Sequence, residues 1–294
     1  MPKILLPIDV QHPHDEFIEQ LDKLIDLKAS QLHLLYVKDE LPGYEAILGT
    51  VADFPDDLKH QIETKIADLF ADMKSKLEAK GAKAVTSSVL GGLAAMTIDQ
   101  VARDDGYDMI AMSAGTHTRV QQFLIGSTTS RVVNHAPCTV LVMKNVSTTP
   151  MKNIVVAIDG SEAALKAAVK AVKLFGLSQR DVQVTCINVV SVKGLYKFIS
   201  PVQFIAAIED NLVMSGEASL AAAEKELSEL GMTKLDNVLK NGEPADEIIN
   251  FADSIKADLI ILGAQGRSAV EKFLVGTVSD RVSTFAKCST AVIK

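Results

Sequence analysis

The sequence predicts an α/β protein with two doubly wound domains, each built on a five-stranded parallel sheet. Two observations carry this prediction. The chain of 294 residues repeats itself at an offset of about 150 residues. Within each copy, short apolar runs alternate with segments of helical periodicity, and runs of this kind are typical of strands that are buried on both faces.

The internal repeat covers nearly the whole chain. The matched segments are Lys3–Asp9 with Asn153–Asp159, Asp108–Met112 with Asp258–Leu262, and Phe123–Ser127 with Phe273–Thr277. The repeat predicts domains at residues 1–146 and 152–294, each of an ordinary domain size. The polar stretch Asn145–Met151 is the expected linker.

The second copy shows the expected order of elements most clearly. Ser161 is a suitable N-cap for the first helix, and Gly231 is a suitable stop for the second. Right-handed crossovers between parallel strands then give a doubly wound sheet. The predicted strands are Asn153–Ile158, Val182–Val189, Leu235–Leu239, Leu259–Leu262 and Thr290–Ile293, and the predicted helices are Ser161–Phe175, Ser215–Leu230, Ala245–Ile255 and Val278–Ala286.

A glycine motif lies where the fourth strand stops and the last helix starts. Its spacing is G-x2-G-x9-G-[ST], which differs from both GxxxxGK[ST] and GxGxxG. Glycines let a ligand approach the backbone, and a helix N-terminus offers free N–H donors with partial positive charge. Glycines alone would fit simple turns, but the complete pattern favours a phosphate cradle. Its residues are Gly263, Gly266, Gly276, Thr277, Val278 and Ser279.

Asp159 follows the first strand of the second copy. In doubly wound sheets, ligands bind at the carboxyl ends of the strands where the strand order reverses. If the first and fourth strands are neighbours, Asp159 and the glycine motif face one crevice. Its carboxylate would then accept hydrogen bonds from ribose hydroxyls or an adenine amino group. The alternative is a structural role at the start of a helix.

Composition excludes several classes of function. The chain has 37 acidic and 30 basic residues and a net charge of −7, which argues against nucleic-acid binding. We expect neither a signal peptide nor a membrane span. The sparse cysteines, Cys138, Cys186 and Cys288, predict reduced thiols in a cytoplasmic protein. Cys138 and Cys288 occupy matching positions, which we interpret as core positions.

These motifs resemble the universal stress protein family, and the chain resembles a tandem member of it. The resemblance implies a Rossmann-like fold of the adenine nucleotide alpha hydrolase type, bound ATP with Mg²⁺, and a role as a stress-linked regulator or sensor. Ala157, Ile158 and Asp159 are implied to border the adenosine, and Val189 to contact adenine. The six cradle residues are implied to hold ribose and phosphates. Arg267 either adds charge there or is a solvated surface arginine.

Family resemblance also suggests that the two domains pair through their last strands, Leu141–Met143 against Ala291–Ile293. Such pairing would cover both edges within one chain. It leaves a homodimer of the whole chain open.

The first copy departs from the glycine motif. Ser113 and Thr116 replace the two early glycines, whereas Gly126 and Ser127 remain. A side chain at position 116 would narrow the approach of phosphate to the backbone. Asp9 and Val37 persist, so the first site is either degraded or retuned for another ligand. We therefore expect about one ATP per chain, bound by the second domain.

Three histidines, His12, His14 and His117, fall in predicted loops near Asp9. Imidazole and carboxylate ligands suit zinc, so a metal-dependent hydrolase is one alternative function. Polar loop histidines are the favoured interpretation, because the spacing is not a standard ligand pattern. A second alternative is an adaptor that binds no nucleotide. Slow ATP hydrolysis stays open, although the sequence has no Walker lysine and no clear general base.

The connection Ser191–Met214 is unusually apolar. A lid, a dimer contact, a ligand pocket and an extended helix are all consistent with it.

Overall fold

The computed structural model describes residues 1–9, 14–39, 56–115, 125–144, 150–191, 203–265 and 275–294. The strands are β1 Lys3–Pro7, β2 Gln31–Asp39, β3 Ala84–Gly92, β4 Met109–Ser113, β5 Thr139–Met143, β6 Asn153–Ala157, β7 Gln183–Val190, β8 Leu235–Asn241, β9 Leu259–Gly263 and β10 Ser289–Ile293. The helices are α1 His14–Leu24, α2 Asp56–Ala79, α3 Ala94–Asp104, α4 Ser127–His135, α5 Glu162–Leu174, α6 Gln203–Glu229, α7 Pro244–Ser254 and α8 Thr277–Phe285. Short 3₁₀ turns occupy Leu27–Ala29 and Leu177–Gln179.

All ten strands form one sheet in the order β3-β2-β1-β4-β5-β10-β9-β6-β7-β8. Pairing is parallel within the first half, β1–β5, and within the second half, β6–β10. The strand order of each half reverses between its first and fourth strands. The predicted doubly wound α/β fold is confirmed.

Helices cover both faces of the sheet. On one face α1, α2, α5 and α6 pack on a hydrophobic cluster that runs through both halves. The other face has two clusters, one under α3 and α4, which also includes Ala264 and Val292 of the second half, and one under α7 and α8. The strands are apolar throughout because both of their faces are buried. Within the described ranges, no helix combines the length and apolarity needed to cross a membrane.

The aspartates that precede β4 and β9 explain part of the sequence repeat. Asp108 Oδ2 accepts a hydrogen bond from the N–H of Lys3 at 2.8 Å. Asp258 Oδ2 accepts from the N–H groups of Lys152 and Asn153 at 2.7 and 3.0 Å. Each carboxylate thus satisfies donors at the start of the neighbouring first strand, where no strand partner is available. Asp258 also bonds the Lys23 ammonium of the first half at 2.6 Å.

The two halves meet through their last strands. β5 and β10 pair antiparallel, with Ala291 opposite Leu141 and Val292 opposite Val140. The expected pairing within one chain is confirmed. It removes two sheet edges that would otherwise expose unpaired backbone groups.

The three cysteines are buried free thiols. Burial raises the pKa of Cys138 to about 11 and those of Cys186 and Cys288 to about 12. These values keep the thiols protonated at neutral pH, where a thiol is a poor nucleophile and metal ligand. The interpretation of Cys138 and Cys288 as core residues is confirmed.

One helix differs from the prediction. We expected a helix from about Ser215, but α6 begins at Gln203. Ser215-Gly216 is a typical boundary signal. Gly216 is instead buried inside the helix, where a Cβ atom would lie 2.7 Å from Leu239 Cδ1 and 2.9 Å from Asn188 Oδ1. Glycine here permits close packing of α6 on the sheet. Of the apolar connection, residues 203–214 are therefore helical, and residues 192–202 lie outside the described residues.

Candidate functional site

The predicted crevice lies at the carboxyl ends of β6 and β9. These strands are parallel neighbours, with Val155 opposite Ile260 and Val156 opposite Ile261. Asp159 follows β6, and Gly263 ends β9. The expectation that the first and fourth strands are adjacent at the switch point is confirmed.

Two hydrogen bonds fix the first turn of α8 to the end of β9. The N–H of Gly276 donates to the carbonyl of Ala264 at 2.8 Å. The hydroxyl of Ser279 donates to the carbonyl of Gly263 at 2.7 Å. The Ser279 side chain is therefore an internal tie in this structure. The donors that α8 leaves for an anion are the N–H groups of Thr277, Val278 and Ser279, which have no acceptor within the helix.

Gly276 and Gly263 occupy different structural environments. Gly276 is the N-cap of α8, with φ −66° and ψ 152°, an extended conformation open to any residue. The glycine is thus not required by a special backbone angle. Gly263 faces α5, where an added Cβ would lie 3.6 Å from Ala167 Cβ and 3.7 Å from Ala164 Cα. The small residues on both sides let α5 approach the end of β9 closely.

Asp159 takes part in the start of α5. Its Oδ1 accepts hydrogen bonds from the N–H of Ser161 at 2.9 Å and from the Ser161 hydroxyl at 2.6 Å. Ser161 Oγ in turn accepts from the N–H of Ala164 at 3.1 Å, as an N-cap does. Asp159 therefore has the structural role at the start of a helix that the sequence analysis gives as the alternative. A further role of Asp159 in ribose binding stays a prediction.

Three of the predicted contacts share one side of the sheet. Ala157, Val189 and Val278 are partly buried and pack against the same hydrophobic cluster, beneath α7 and α8. Ile158 is buried in the cluster on the opposite face. Ala157, Val189 and Val278 thus lie on the side of the sheet that α7 and α8 cover, whereas Ile158 is buried on the opposite side.

Asn188 lies near the site but belongs to none of the sequence motifs. It is buried, and its Nδ2 donates to the carbonyl of Ile158 at 2.7 Å. This bond fixes the chain between β6 and Asp159. The sequence does carry a signal for Asn188, which is an amide side chain within the apolar run of β7. A buried amide needs a specific hydrogen-bond partner.

In the first half, two equivalent hydrogen bonds fix the first turn of α4 to the end of β4. The N–H of Gly126 donates to Ala114 O at 2.7 Å, and the Thr129 hydroxyl donates to Ser113 O at 3.1 Å. The turn after the strand nevertheless differs. Ser113 Oγ accepts from the N–H of Gly115 at 3.2 Å, and Gly115 has φ +66°.

Gln265 occupies the position that matches Gly115, and its φ is not positive. The Ser113 hydroxyl therefore accompanies a turn that the second half does not make. The backbone of the two predicted sites diverges at the end of the fourth strand.

Several predicted positions lie outside the described residues, namely Gly266, Arg267, Thr116, His12 and His117. His14 is described, and the prediction that it lies in a loop is wrong. It is the first residue of α1. Among the described residues, no group of three or more histidine, cysteine, aspartate or glutamate side chains is placed to hold a metal ion.

Comparisons with known proteins agree with the repeat. The model of the Universal stress protein family matches residues 1–144 and again residues 150–294. Universal stress protein MJ0531 of Methanocaldococcus jannaschii is 34% identical over 143 residues, which are 49% of this chain and 82% of that protein. Universal stress protein YxiE of Bacillus subtilis is 30% identical over 145 residues, 48% of this chain and 97% of that protein.

A solved structure is similar over the full length of the chain. The crystal structure of a universal stress protein from Archaeoglobus fulgidus DSM 4304 has a TM-score of 0.68 at 19% identity. The similarity covers 99% of this chain and 96% of that chain. It therefore includes both halves, and at this identity it concerns the fold.

Proposed function

Because the chain belongs to the universal stress protein family, we propose that it binds one adenine nucleotide, ATP with Mg²⁺, in its second half. The observation that supports this most directly is the first turn of α8. Its N–H groups at Thr277, Val278 and Ser279 are held at the carboxyl end of β9, beside β6. A fixed helix N-terminus at a switch point is a suitable place for phosphates.

The remaining contacts follow from the positions of the residues. With a net charge of −7, the chain as a whole does not attract an anion. Local N–H donors and the partial positive charge of α8 must supply the attraction. The half-buried Ala157 and Val189 offer apolar surface for adenine, and Asp159 offers a carboxylate for ribose. Gly263, Gly266 and Gly276 would let the phosphates approach the backbone, with Arg267 as an added charge.

We assign the nucleotide to the second of two domains, residues 152–294, and not to residues 1–146. The support is the divergence at Gly263 and Ser113. Ser113 carries a side chain at the end of β4 and bonds the N–H of Gly115. That N–H is consequently engaged within the protein.

We propose binding as the main activity, with at most slow hydrolysis. The sequence lacks the P-loop lysine that stabilises charge on transferred phosphate. Binding without rapid turnover suits a stress-linked regulator or sensor in the cytoplasm. Mg²⁺ would accompany the phosphates of the nucleotide.

The test is the matched pair Gly276→Val and Gly126→Val, measured by calorimetry with Mg-ATP. Both glycines are N-caps in extended backbone, with φ −66° and −65°, so valine is compatible with each. Valine at position 276 would crowd the phosphates, and we expect affinity to fall at least tenfold, or about 1.4 kcal/mol. Gly126→Val should bind ATP as the wild type does.

Circular dichroism and thermal unfolding should accompany both variants. An added Cβ at position 126 would lie 3.3 Å from Gly115 O, so the loop must shift slightly in that control. Wild-type affinity in a folded Gly276→Val variant would contradict the proposed site. Loss of binding in Gly126→Val alone would place the nucleotide in the first half.

A further inference from the structure

The helix that carries the proposed cradle is also contacted by the first half. Two side chains from that half reach α8, Asn134 on α4 and Lys144 just after β5. They contact opposite ends of α8. The first half thus holds both the turn that faces the nucleotide and the turn farthest from it.

Lys144 caps the C-terminal end of α8. Its ammonium donates to the carbonyls of Ser283, Thr284 and Ala286 at 2.7, 3.0 and 2.9 Å. The last carbonyls of a helix have no donor within the helix, and they carry partial negative charge. Lys144 is only 5% exposed, so this charge is desolvated and its contacts are fixed. Three donors meeting three acceptors form a built contact and not a chance approach of a surface lysine.

Asn134 holds a carboxylate in the first turn of α8. Its Nδ2 donates to Asp280 Oδ1 at 3.0 Å. Asp280 is the fourth residue of α8, so a carboxylate released from Asn134 would be about one helical turn from the N–H groups that would bind phosphate. The hydrogen bond keeps this carboxylate at the seam between α4 and α8. Released, it would repel a phosphate in the adjacent cradle.

Among the described residues, fewer contacts run from the second half to α4, the helix of the first half that matches α8. Lys294 matches Lys144 in the repeat, and its ammonium donates to Ala136 O at 2.6 Å, at the end of α4. The positions that match Asp280 and Asn134 are Ser130 and Thr284, which cannot form the same amide–carboxylate pair. Thus α8, whose glycine motif is intact, receives four hydrogen bonds from the other half.

We propose that Asn134 and Lys144 of the first half are positioning residues for the nucleotide cradle on α8. The inference rests on the proposed function. Lys144 fixes the axis of α8 and adds a positive charge at the far end of its dipole. Asn134 keeps Asp280 away from the phosphates. The first half therefore contributes to affinity at a site that it does not touch.

The expected effect of Lys144→Met follows from the size of the helix. A helix of nine residues is about 13 Å long, so the ammonium acts on the phosphates across one short helix. With partial screening and the loss of a fixed helix end, we expect ATP affinity to fall about threefold to tenfold. Lys294→Met is the matched control, because it removes the equivalent charge from α4, and affinity should remain within about twofold of the wild type.

A pH profile separates positioning from simple loss of stability. Burial lowers the pKa of Lys144 to about 8, and the group facing it, the Cys288 thiol, stays neutral because its pKa is raised to about 12. From about pH 7 to about pH 9, wild-type affinity should fall as Lys144 loses its proton. Lys144→Met should lack this component, whereas Lys294→Met should retain it.

Asn134→Ala tests the proposal independently, and a second substitution should restore binding. It should weaken ATP binding about twofold to fivefold by freeing Asp280, and adding Asp280→Asn should restore affinity by removing the charge. All measurements use the full chain with Mg-ATP, with thermal unfolding of each variant. Burial also lowers the pKa of Lys294 to about 8, so the pH profile is assigned to Lys144 only by comparison with Lys294→Met. If Lys144→Met does not fold, the pH profile of Lys294→Met and the Asn134 variants still decide.

The two hypotheses fail in different ways. If wild-type protein binds ATP and the folded Lys144 and Asn134 variants match it in affinity and pH profile, the positioning role is overturned while the site stands. If wild-type protein binds no ATP, the proposed function itself is wrong, and this inference is rejected with it.

Discussion

The tie between Ser279 and Gly263 can be tested separately from ligand binding. Ser279 is buried, and its hydroxyl donates to Gly263 O at 2.7 Å. Ser279→Ala removes this donor with almost no change in volume. The Gly263 carbonyl then loses a partner at the point where β9 meets α8.

The magnitude follows from the geometry of the bond. A hydrogen bond between partly buried groups contributes about 1 kcal/mol, and leaving one acceptor unsatisfied raises the loss toward about 2 kcal/mol. The N–H groups of Thr277, Val278 and Ser279 stay in place, since they belong to the backbone. ATP affinity should therefore fall less than about threefold, well below the effect expected for Gly276→Val.

Urea unfolding of the ligand-free protein measures the first effect, and calorimetry with Mg-ATP measures the second. Thr129→Val is the matched control in the first half, because the Thr129 hydroxyl donates to Ser113 O at 3.1 Å. It should lower the free energy of unfolding by a similar amount and leave ATP affinity unchanged. The reasoning is refuted if Ser279→Ala unfolds like the wild type yet loses ATP affinity tenfold. That outcome would mean that the hydroxyl serves the phosphate and not Gly263.

Two further predictions concern the packing and the pH dependence of the fold. Gly216→Ala should lower the free energy of unfolding by about 1–2 kcal/mol despite the better helix propensity of alanine, because the new methyl group would displace Leu239 and Asn188. Ser215→Ala, at an exposed position, is the control. If thermal unfolding shows that Gly216→Ala is as stable as the wild type, the close packing at Gly216 is contradicted. Burial raises the pKa of Asp99 to about 6, above the ordinary value of 3.8, against the opposing charges of Lys294, Arg103 and Arg131. The folded state then holds this proton longer than the unfolded chain, so the Asp99 contribution lowers stability as pH rises from about 4 to about 6. Asp99→Asn should consequently gain stability over the wild type in urea unfolding at pH 7 but not at pH 4, and an unchanged difference at both values would reject this explanation.

Sequence reasoning worked where the signal was local or repeated. The apolar runs predicted the strands because the sheet is buried on both faces. The pairing of the last strands, with Leu141 opposite Ala291, was suggested by the family resemblance, and the repeat places both strands in one chain. The position of Asp159 and Gly263 followed from the general rule on switch points.

Other features depend on contacts that a single sequence does not display. The sequence predicts the hydroxyl of Ser279 as a ligand donor, whereas in the structure it donates to Gly263 O, which a single sequence does not place next to it. Gly216 carries the same local signal as a helix boundary, although it packs inside α6 against Leu239. Lys144 has no motif, because its partners are carbonyls of a helix that lies far along the chain.

The comparison of the two halves shows which contacts the fold itself requires. Both halves fix the first turn of the last helix with the same pair of bonds, from Gly126 and Thr129 or from Gly276 and Ser279. These bonds end on backbone carbonyls, so they do not depend on which side chain stands at the end of the fourth strand. The fold accommodates Ser113 at the end of β4, whereas glycine at the end of β9 also allows α5 to pack closely against Gly263. Packing of α5 is thus one reason for the glycine, and the proposed nucleotide site adds a second, which the ATP affinities of Gly276→Val and Gly126→Val test.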